Sequence, residues 1–333
     1  MNKWRAVAVS ASVVSMCFLG AFAIYACGSQ EAGVEKTAPA EPPEEPPSEP
    51  TRPAKSATPA ESKRPEEPAI AGVYGSEHCL GHDGRRRCYQ LLVPESASAS
   101  APLVIDMHGF GSNANQQRAI SGFSHLARTE GFIVAWPQGV EASFNAGLGC
   151  CGSAVKERVD DVGFVRALVA DVATLEQLDL DRVYVTGLSN GCAMAQRVAA
   201  QASDLVAAAA CMAMYLIARP APDYTPVPLM EIHGTADSVV PYQGDRNGAA
   251  ALFPTAIGNV ETWAKLNGCA GDPVKTDGPS ARATFTRFGE CKDSADVVLL
   301  TLDGVGHVPY LGIQGDVDTA RVAWAFMREF SRR

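Results

Sequence analysis

The sequence predicts an α/β fold: a mostly parallel central sheet with helices on both faces. Three observations carry that reading. Short β-branched runs alternate with helical patterns from about residue 88 to the C-terminus. Runs such as VVLLTL are apolar at every position, as strands buried on both faces are. No internal repeat offers a competing architecture.

In chain order, residues 88–93 read as a strand and 102–107 (PLVIDM) as a short buried one. Residues 114–129 have helical spacing, and 132–136 (FIVAW) are again a strand. Residues 160–178 form a long amphipathic helix, with Asp160 and Asp161 placed to cap its N-terminus. Residues 182–186 (RVYVT) are a strand and 190–202 a helix. Further strands fall at 207–214, 227–232 and 297–302, and further helices at 260–266 and 319–330. A Pro-rich excursion at 220–226 is either a cover over a pocket or a plain surface loop.

The N-terminus carries no fold signal. Lys3 and Arg5 precede an apolar stretch that runs to Tyr25, and Ala26-Cys27 follows. This resembles a bacterial lipobox, in which a small residue precedes a cysteine that is lipidated after cleavage; Tyr25 stands where a small residue is usual. Three readings fit residues 1–27: a lipoprotein signal peptide with Cys27 lipidated, an ordinary cleaved signal, and an uncleaved anchor. All three place the rest of the chain outside the cytosol, in the cell envelope or beyond it. Residues 28–68 are rich in Pro, Glu, Ala and Ser and lack large apolar side chains. Such a segment cannot offset its ordering entropy, so a disordered linker is expected. Residues 69–333 are then one catalytic domain.

Setting aside Cys17 and Cys27, eight cysteines remain, an even set in keeping with disulfides outside the cytosol. Cys79 and Cys88 flank a short Gly/Arg turn, and Cys269 and Cys291 bracket a polar excursion between a helix and a strand; these two pairings are expected. Cys150, Cys151, Cys192 and Cys211 pair in ways that spacing leaves open. No His/Cys cluster has zinc-ligand spacing, so no metal site is read. The net charge of −9 and the lack of a basic run argue against nucleic acid as a partner.

The chemistry gathers around Gly187-Leu188-Ser189-Asn190-Gly191, a G-x-S-x-G pattern between a strand and a helix. The flanking glycines permit a tight turn that holds the Ser189 hydroxyl above the sheet. A serine hydroxyl needs a base to take its proton. His307 is the candidate, in the Gly-rich loop after the last strand. The base needs a carboxylate to fix its tautomer. Asp237, just after the strand at 227–232, is preferred for that role; Asp303, four residues before His307, is the rival. The backbone N–H groups of Asn190 and Phe110 are the expected oxyanion hole. His108 and His233 read as residues that orient loops, and His78, His82 and His125 as surface residues.

These residues resemble the feruloyl esterase and poly(3-hydroxybutyrate) depolymerase-like esterases of the α/β-hydrolase superfamily. The resemblance runs from about Cys79 to the C-terminus. It rests on PLVIDMHGFGSNA, FNAGLGCCGSAVKERVDDVGFVRAL, GLSNGCAMA, EIHGTADSVVPY and LDGVGHVPY. It implies an α/β-hydrolase fold, a single-domain esterase without a cofactor, disulfides, and a triad of Ser189, Asp237 and His307. Two departures stand near the expected pocket. Cys192 replaces a second glycine, and Val308-Pro309-Tyr310 stands where the family has Trp-Pro. By neighbourhood, Trp136, Phe144, Asn145 and Tyr242 are candidate substrate-binding residues, with Trp136 also readable as core and Tyr242 as a loop anchor. The expected partner is an ester: a feruloyl or acetyl ester on polysaccharide, a hydroxyalkanoate polyester, or a general short-chain ester. The membrane enters only through the lipid anchor. The rival reading is a non-catalytic envelope protein that keeps the fold for binding.

Overall fold

Alternating side chains divide one ten-stranded sheet between two cores. The computed structural model describes residues 75–244, 254–308 and 317–332. The expected signal peptide, Cys27 and the linker lie outside the described residues. The strands are β1 (Ser76–His82), β2 (Arg85–Leu92), β3 (Ala101–Met107), β4 (Ile133–Pro137), β5 (Leu178–Gly187), β6 (Ala208–Met212), β7 (Leu229–Gly234), β8 (Val274–Asp277), β9 (Ala283–Phe288) and β10 (Val297–Leu302). They lie in the order β1-β2-β4-β3-β5-β6-β7-β10-β9-β8. From β4 through β10 the pairings are parallel, and each edge ends in an antiparallel hairpin.

The helices are α1 (Ala114–Ile120), α2 (Phe123–Glu130), α3 (Gly152–Lys156), α4 (Asp161–Leu175), α5 (Asn190–Gln201), α6 (Ala256–Leu266) and α7 (Thr319–Met327). In β3, Leu103 and Ile105 face a core shared with α4, α5 and α6, while Val104 faces one shared with α2 and α7. In β10, Val297 and Leu299 point one way and Val298 and Leu300 the other. That is the period of two expected of a strand, here apolar on both faces.

The structure changes several sequence expectations, each for a local reason. The helix expected at 114–129 is two helices, because Gly122 adopts a left-handed conformation (φ 80°) between them. Asp160 caps α4 by accepting from the Gly163 N–H at 2.9 Å. Asp161 does not cap; it turns inward to the Arg87 guanidinium at 2.6 Å. The strand at 182–186 starts earlier, at Leu178. The edge strands β1 and β8 and the adjacent β9 went unread: β8 is exposed throughout, β1 has no buried residue, and β9 is short and mixes polar with apolar residues. Asp83 and Gly84, both with positive φ, make the two-residue turn of the β1–β2 hairpin.

Disulfides join Cys79 to Cys88, which are direct cross-strand partners, and Cys269 to Cys291, which brackets the β8–β9 hairpin. Cys192 pairs with Cys211 and Cys150 with Cys151. The 220–226 excursion is tied to the C-terminal end of α5, where the Ala221 N–H donates to the Ala200 carbonyl. It leads into the start of β7 and so lies away from the loops that follow β5, β7 and β10.

Trp136 is wholly buried, and its indole N–H donates to Asp106 Oδ2 at 2.9 Å. Gln117 donates to the other oxygen at 2.7 Å. Burial nonetheless pushes the Asp106 carboxyl up to about 7. Trp136→Phe removes one donor from this buried acceptor. The expected loss is about 1–3 kcal/mol of unfolding free energy, read as a lower urea midpoint at unchanged m.

Candidate active site

The strand-to-helix turn at Ser189 is made by close packing. A Cβ on Gly191 would sit 2.0 Å from the Met107 carbonyl oxygen, and one on Gly187 would sit 2.6 Å from Gly191 backbone atoms. Only glycine lets α5 start this close to the ends of β3 and β5. Ser189 occupies φ 54°, ψ −121°, a strained conformation for a residue with a side chain. Its N–H donates to the Met212 carbonyl at 2.9 Å, which fixes the turn to the end of β6. Among the described residues Ser189 Oγ has no hydrogen-bond partner, and the residue is partly exposed.

Three loops at the C-terminal ends of neighbouring strands bring the remaining groups together, where open α/β sheets bind ligands. Asp237 follows β7 and His307 follows β10; these strands pair in parallel, with Leu302 opposite Gly234. His307 Nδ1 lies 2.7 Å from Asp237 Oδ2. The carboxylate accepts only, so Nδ1 donates, and Nε2 has no partner among the described residues. Asp237 Oδ1 accepts from the Val239 and Val240 N–H groups at 2.9 and 2.8 Å. Burial works to raise the Asp237 carboxyl, but hydrogen bonds from His233, His307 and Val240 hold it well below the usual carboxylate range. Among the described residues Asp303 makes no hydrogen bond or ion pair with His307. It is exposed, its carboxylate accepts from Thr235 Oγ1 at 3.0 Å, and its carbonyl is bound by Arg282.

The loop after β3 lies against the serine. A Cβ on Gly109 would meet Ser189 Cβ at 3.6 Å. Neither the Phe110 nor the Asn190 N–H has an acceptor among the described residues, as donors reserved for a developing oxyanion must be. His108 shapes this loop: its Nδ1 donates to the Gly109 carbonyl at 2.8 Å and its Nε2 accepts from the Gly139 N–H at 3.0 Å. That pattern is the neutral ring, and burial lowers its pKa in keeping with it.

The four expected substrate-binding residues act mostly beneath the surface. Trp136 belongs to the core on the α2/α7 face and cannot touch a substrate. Phe144 is also buried, its ring 4.6 Å from that of His108. Its main chain is clamped by the Asn190 side chain, which accepts from the Phe144 N–H at 2.8 Å and donates to its carbonyl at 3.0 Å. Asn145 uses its amides on Asp161 Oδ2 (2.7 Å) and the Val159 carbonyl (2.9 Å). Tyr242 anchors its loop through Thr301 Oγ1 at 2.8 Å. Cys192 is wholly buried in its disulfide. Pro309 and Tyr310 lie outside the described residues.

Two features were missed in the sequence. One is the Asn190 side chain as a clamp on the 144–150 loop; no signal in the pattern separates it from any residue after a nucleophile. The other is Glu231, two residues before His233 and therefore on the same face of β7. That spacing of two was a readable signal. A cleft of about 460 Å³ lined by Asp204, Thr225 and Arg332 opens at the other ends of the strands, before β6 and β7, and holds none of these groups.

Comparison with known proteins agrees with this architecture. Feruloyl esterase B of Piromyces equi is 32% identical over 248 residues, which cover 70% of this chain and 42% of that protein. Poly(3-hydroxyalkanoate) depolymerase C of Paucimonas lemoignei is 34% identical over 123 residues, 35% of this chain and 29% of that one. The chain thus spans less than half the length of these curated relatives. Among solved structures, an acetyl xylan esterase from Aspergillus awamori superposes with a TM-score of 0.56 at 18% identity, covering 76% of this chain and 99% of that one; it shares the fold. Residues 87–240 match the family model described as Esterase PHB depolymerase. The chain has the α/β-hydrolase fold, and its residues 87–240 place that part of it with the Esterase PHB depolymerase family.

Proposed function

We propose that this chain is a serine carboxylic-ester hydrolase that works outside the cytosol through an acyl-enzyme. The observation that carries the proposal is the 2.7 Å contact between His307 Nδ1 and Asp237 Oδ2, on loops at the same end of the sheet as the strained Ser189. With Nδ1 donating, His307 Nε2 takes the proton of Ser189 Oγ as the oxygen attacks the ester carbonyl. The N–H groups of Asn190 and Phe110 bind the oxygen that becomes negative. His307 returns the proton to the leaving alcohol, and a second cycle with water frees the acid. A binding protein would need neither the strained serine nor the His307–Asp237 pair.

The substrate class proposed is a feruloyl or acetyl ester of polysaccharide, or a hydroxyalkanoate polyester. The relatives' names point to both. Three apolar side chains at the same end of the sheet favour a substrate with apolar or aromatic surface: Phe110 (59% exposed), Leu148 (68%) and Val239 (66%). A general short-chain carboxylesterase is the second reading. The four disulfides support an oxidising compartment, and with it export by the N-terminal segment, with or without lipidation at Cys27.

Ser189→Ala is expected to lower kcat on p-nitrophenyl butyrate by several orders of magnitude with the melting curve unchanged. Asp237→Asn is expected to lower it on the order of 10⁴-fold, and Asp303→Asn to leave it near wild type. Wild-type rates in Asp237→Asn with loss in Asp303→Asn would move the acid to Asp303. In a panel of p-nitrophenyl acetate, butyrate and octanoate, methyl ferulate and a 3-hydroxybutyrate oligomer, the highest kcat/KM is expected on ferulate or the oligomer. A best rate on the acetate, with neither of those turned over, would favour the short-chain reading.

A further inference from the structure

A second histidine lies beneath the loop that carries Asp237. His233 is the penultimate residue of β7 and is wholly buried. Its Nδ1 lies 2.8 Å from Glu231 Oε1. Its Nε2 lies 2.9 Å from the Val240 carbonyl and 3.4 Å from Asp237 Oδ2. This is the oxygen that His307 Nδ1 meets at 2.7 Å. Asp237 Oδ2 is therefore held between two imidazoles, while Oδ1 is held by two backbone amides.

The protonation of His233 follows from its partners. Both ring nitrogens face acceptors, a carboxylate on one side and a carbonyl with a second carboxylate on the other. A neutral imidazole donates through one nitrogen only, so with Glu231 ionised the ring that serves both is the imidazolium; burial raises the Glu231 carboxyl, and the hydrogen bonds from His233 and Asn259 and the His233 charge oppose that rise. A buried cation persists only when paired and hydrogen-bonded. Glu231 supplies the pairing. It too is wholly buried, and its second oxygen accepts from Asn259 Nδ2. Asn259 is held in turn by Gln196 Oε1 at 3.0 Å and by the Leu216 N–H at 2.9 Å.

Among the described residues the surroundings add no competing charge. Tyr215 stacks on the His233 ring at 5.2 Å and Tyr242 meets it edge-on at 5.7 Å. Their hydroxyls turn away, to the Pro241 carbonyl and to Thr301. The titratable groups facing His233 are thus Glu231 on its own strand, Asp237 on the following loop with His307 beyond it, and the two phenols. Burial opposes charge on the ring, but the hydrogen bonds to Asp237 and Glu231 and the Glu231 charge outweigh it and lift the pKa to about 9.

We propose that His233, as an imidazolium balanced by Glu231, is a positioning residue that holds Asp237 Oδ2 toward His307 and draws off part of its negative charge. The inference rests on the triad reading above. Its consequence has a definite sign. A cation on the far side of Asp237 disfavours a second cation at His307.

The test uses the full chain with ¹⁵N-labelled histidine, following ring nitrogen signals against pH beside the pH profile of kcat/KM on p-nitrophenyl butyrate. In the wild type both His233 nitrogens are expected to stay protonated from about pH 5 to 8. In His233→Gln the titration midpoint of His307 is expected to rise by about one pH unit. The acid limb of kcat/KM should move the same way, with KM little changed. A merely structural role would lower stability without moving the His307 midpoint. An unprotonated His233 nitrogen at pH 7 in the wild type overturns the proposal and needs no variant to fold. An unmoved or lower His307 midpoint in a folded His233→Gln overturns it as well. Failure of the hydrolase reading shows separately, as a wild type without Ser189-dependent turnover, because the ring titrations are read without turnover.

Discussion

The site depends on one steric constraint: the first turn of α5 must lie against the ends of β3 and β5 with no Cβ between them. Gly191 against the Met107 carbonyl leaves no room for a methyl group, and Gly187 against Gly191 leaves none either. This packing forces Ser189 into its strained conformation and stands its hydroxyl clear of the sheet. It also points the Asn190 side chain inward, where it clamps Phe144 and so places the 144–150 loop. Strain of about 1–3 kcal/mol at one residue is tolerable only where the surroundings over-determine it. Here the Ser189 N–H bond to Met212, the buried helix and the Cys192–Cys211 disulfide all hold the same turn.

Around this turn runs a layer of buried polar groups that fixes the other loops. Arg87, stacked 4.0 Å over the Phe164 ring, binds Asp161, which in turn holds the Asn145 N–H. His108 ties the loop after β3 to Gly139. Gln196 and Asn259 connect Glu231 to α5 and α6, and Trp263 donates to Gln196 Oε1 at 2.8 Å. Each of these groups is costly to bury alone and acceptable when paired. Precision in the loops thus comes from polar contacts below them, while the apolar side chains Phe110, Leu148 and Val239 remain outward.

Much of this was legible in the sequence, and the limits have physical causes. The buried strands read clearly because both faces are apolar, as β10 does in VVLLTL. The edge strands did not, because exposed polar residues carry no burial pattern. The triad candidates could be picked out because a turn after a strand needs glycine and small polar residues, and those are visible one by one; of the three, His307 and Asp237 lie in hydrogen-bonding contact. The substrate-binding assignments fared worse. Nearness in sequence to a motif says nothing about which way a side chain points, and Trp136 and Phe144 point into the cores. Glu231 was half legible: its spacing of two from His233 puts both on one face of β7, but its other partner, Asn259, is 28 residues further on.

The central claim is that Ser189 is the nucleophile of an acyl-transfer site. The most direct test treats the full chain with diethyl p-nitrophenyl phosphate and locates the adduct by mass spectrometry. The account predicts one diethylphosphoryl group per chain, on the peptide that holds Ser189, with the reaction slowed in Asp237→Asn. An unmodified chain, or an adduct on another residue with Ser189 untouched, would contradict it.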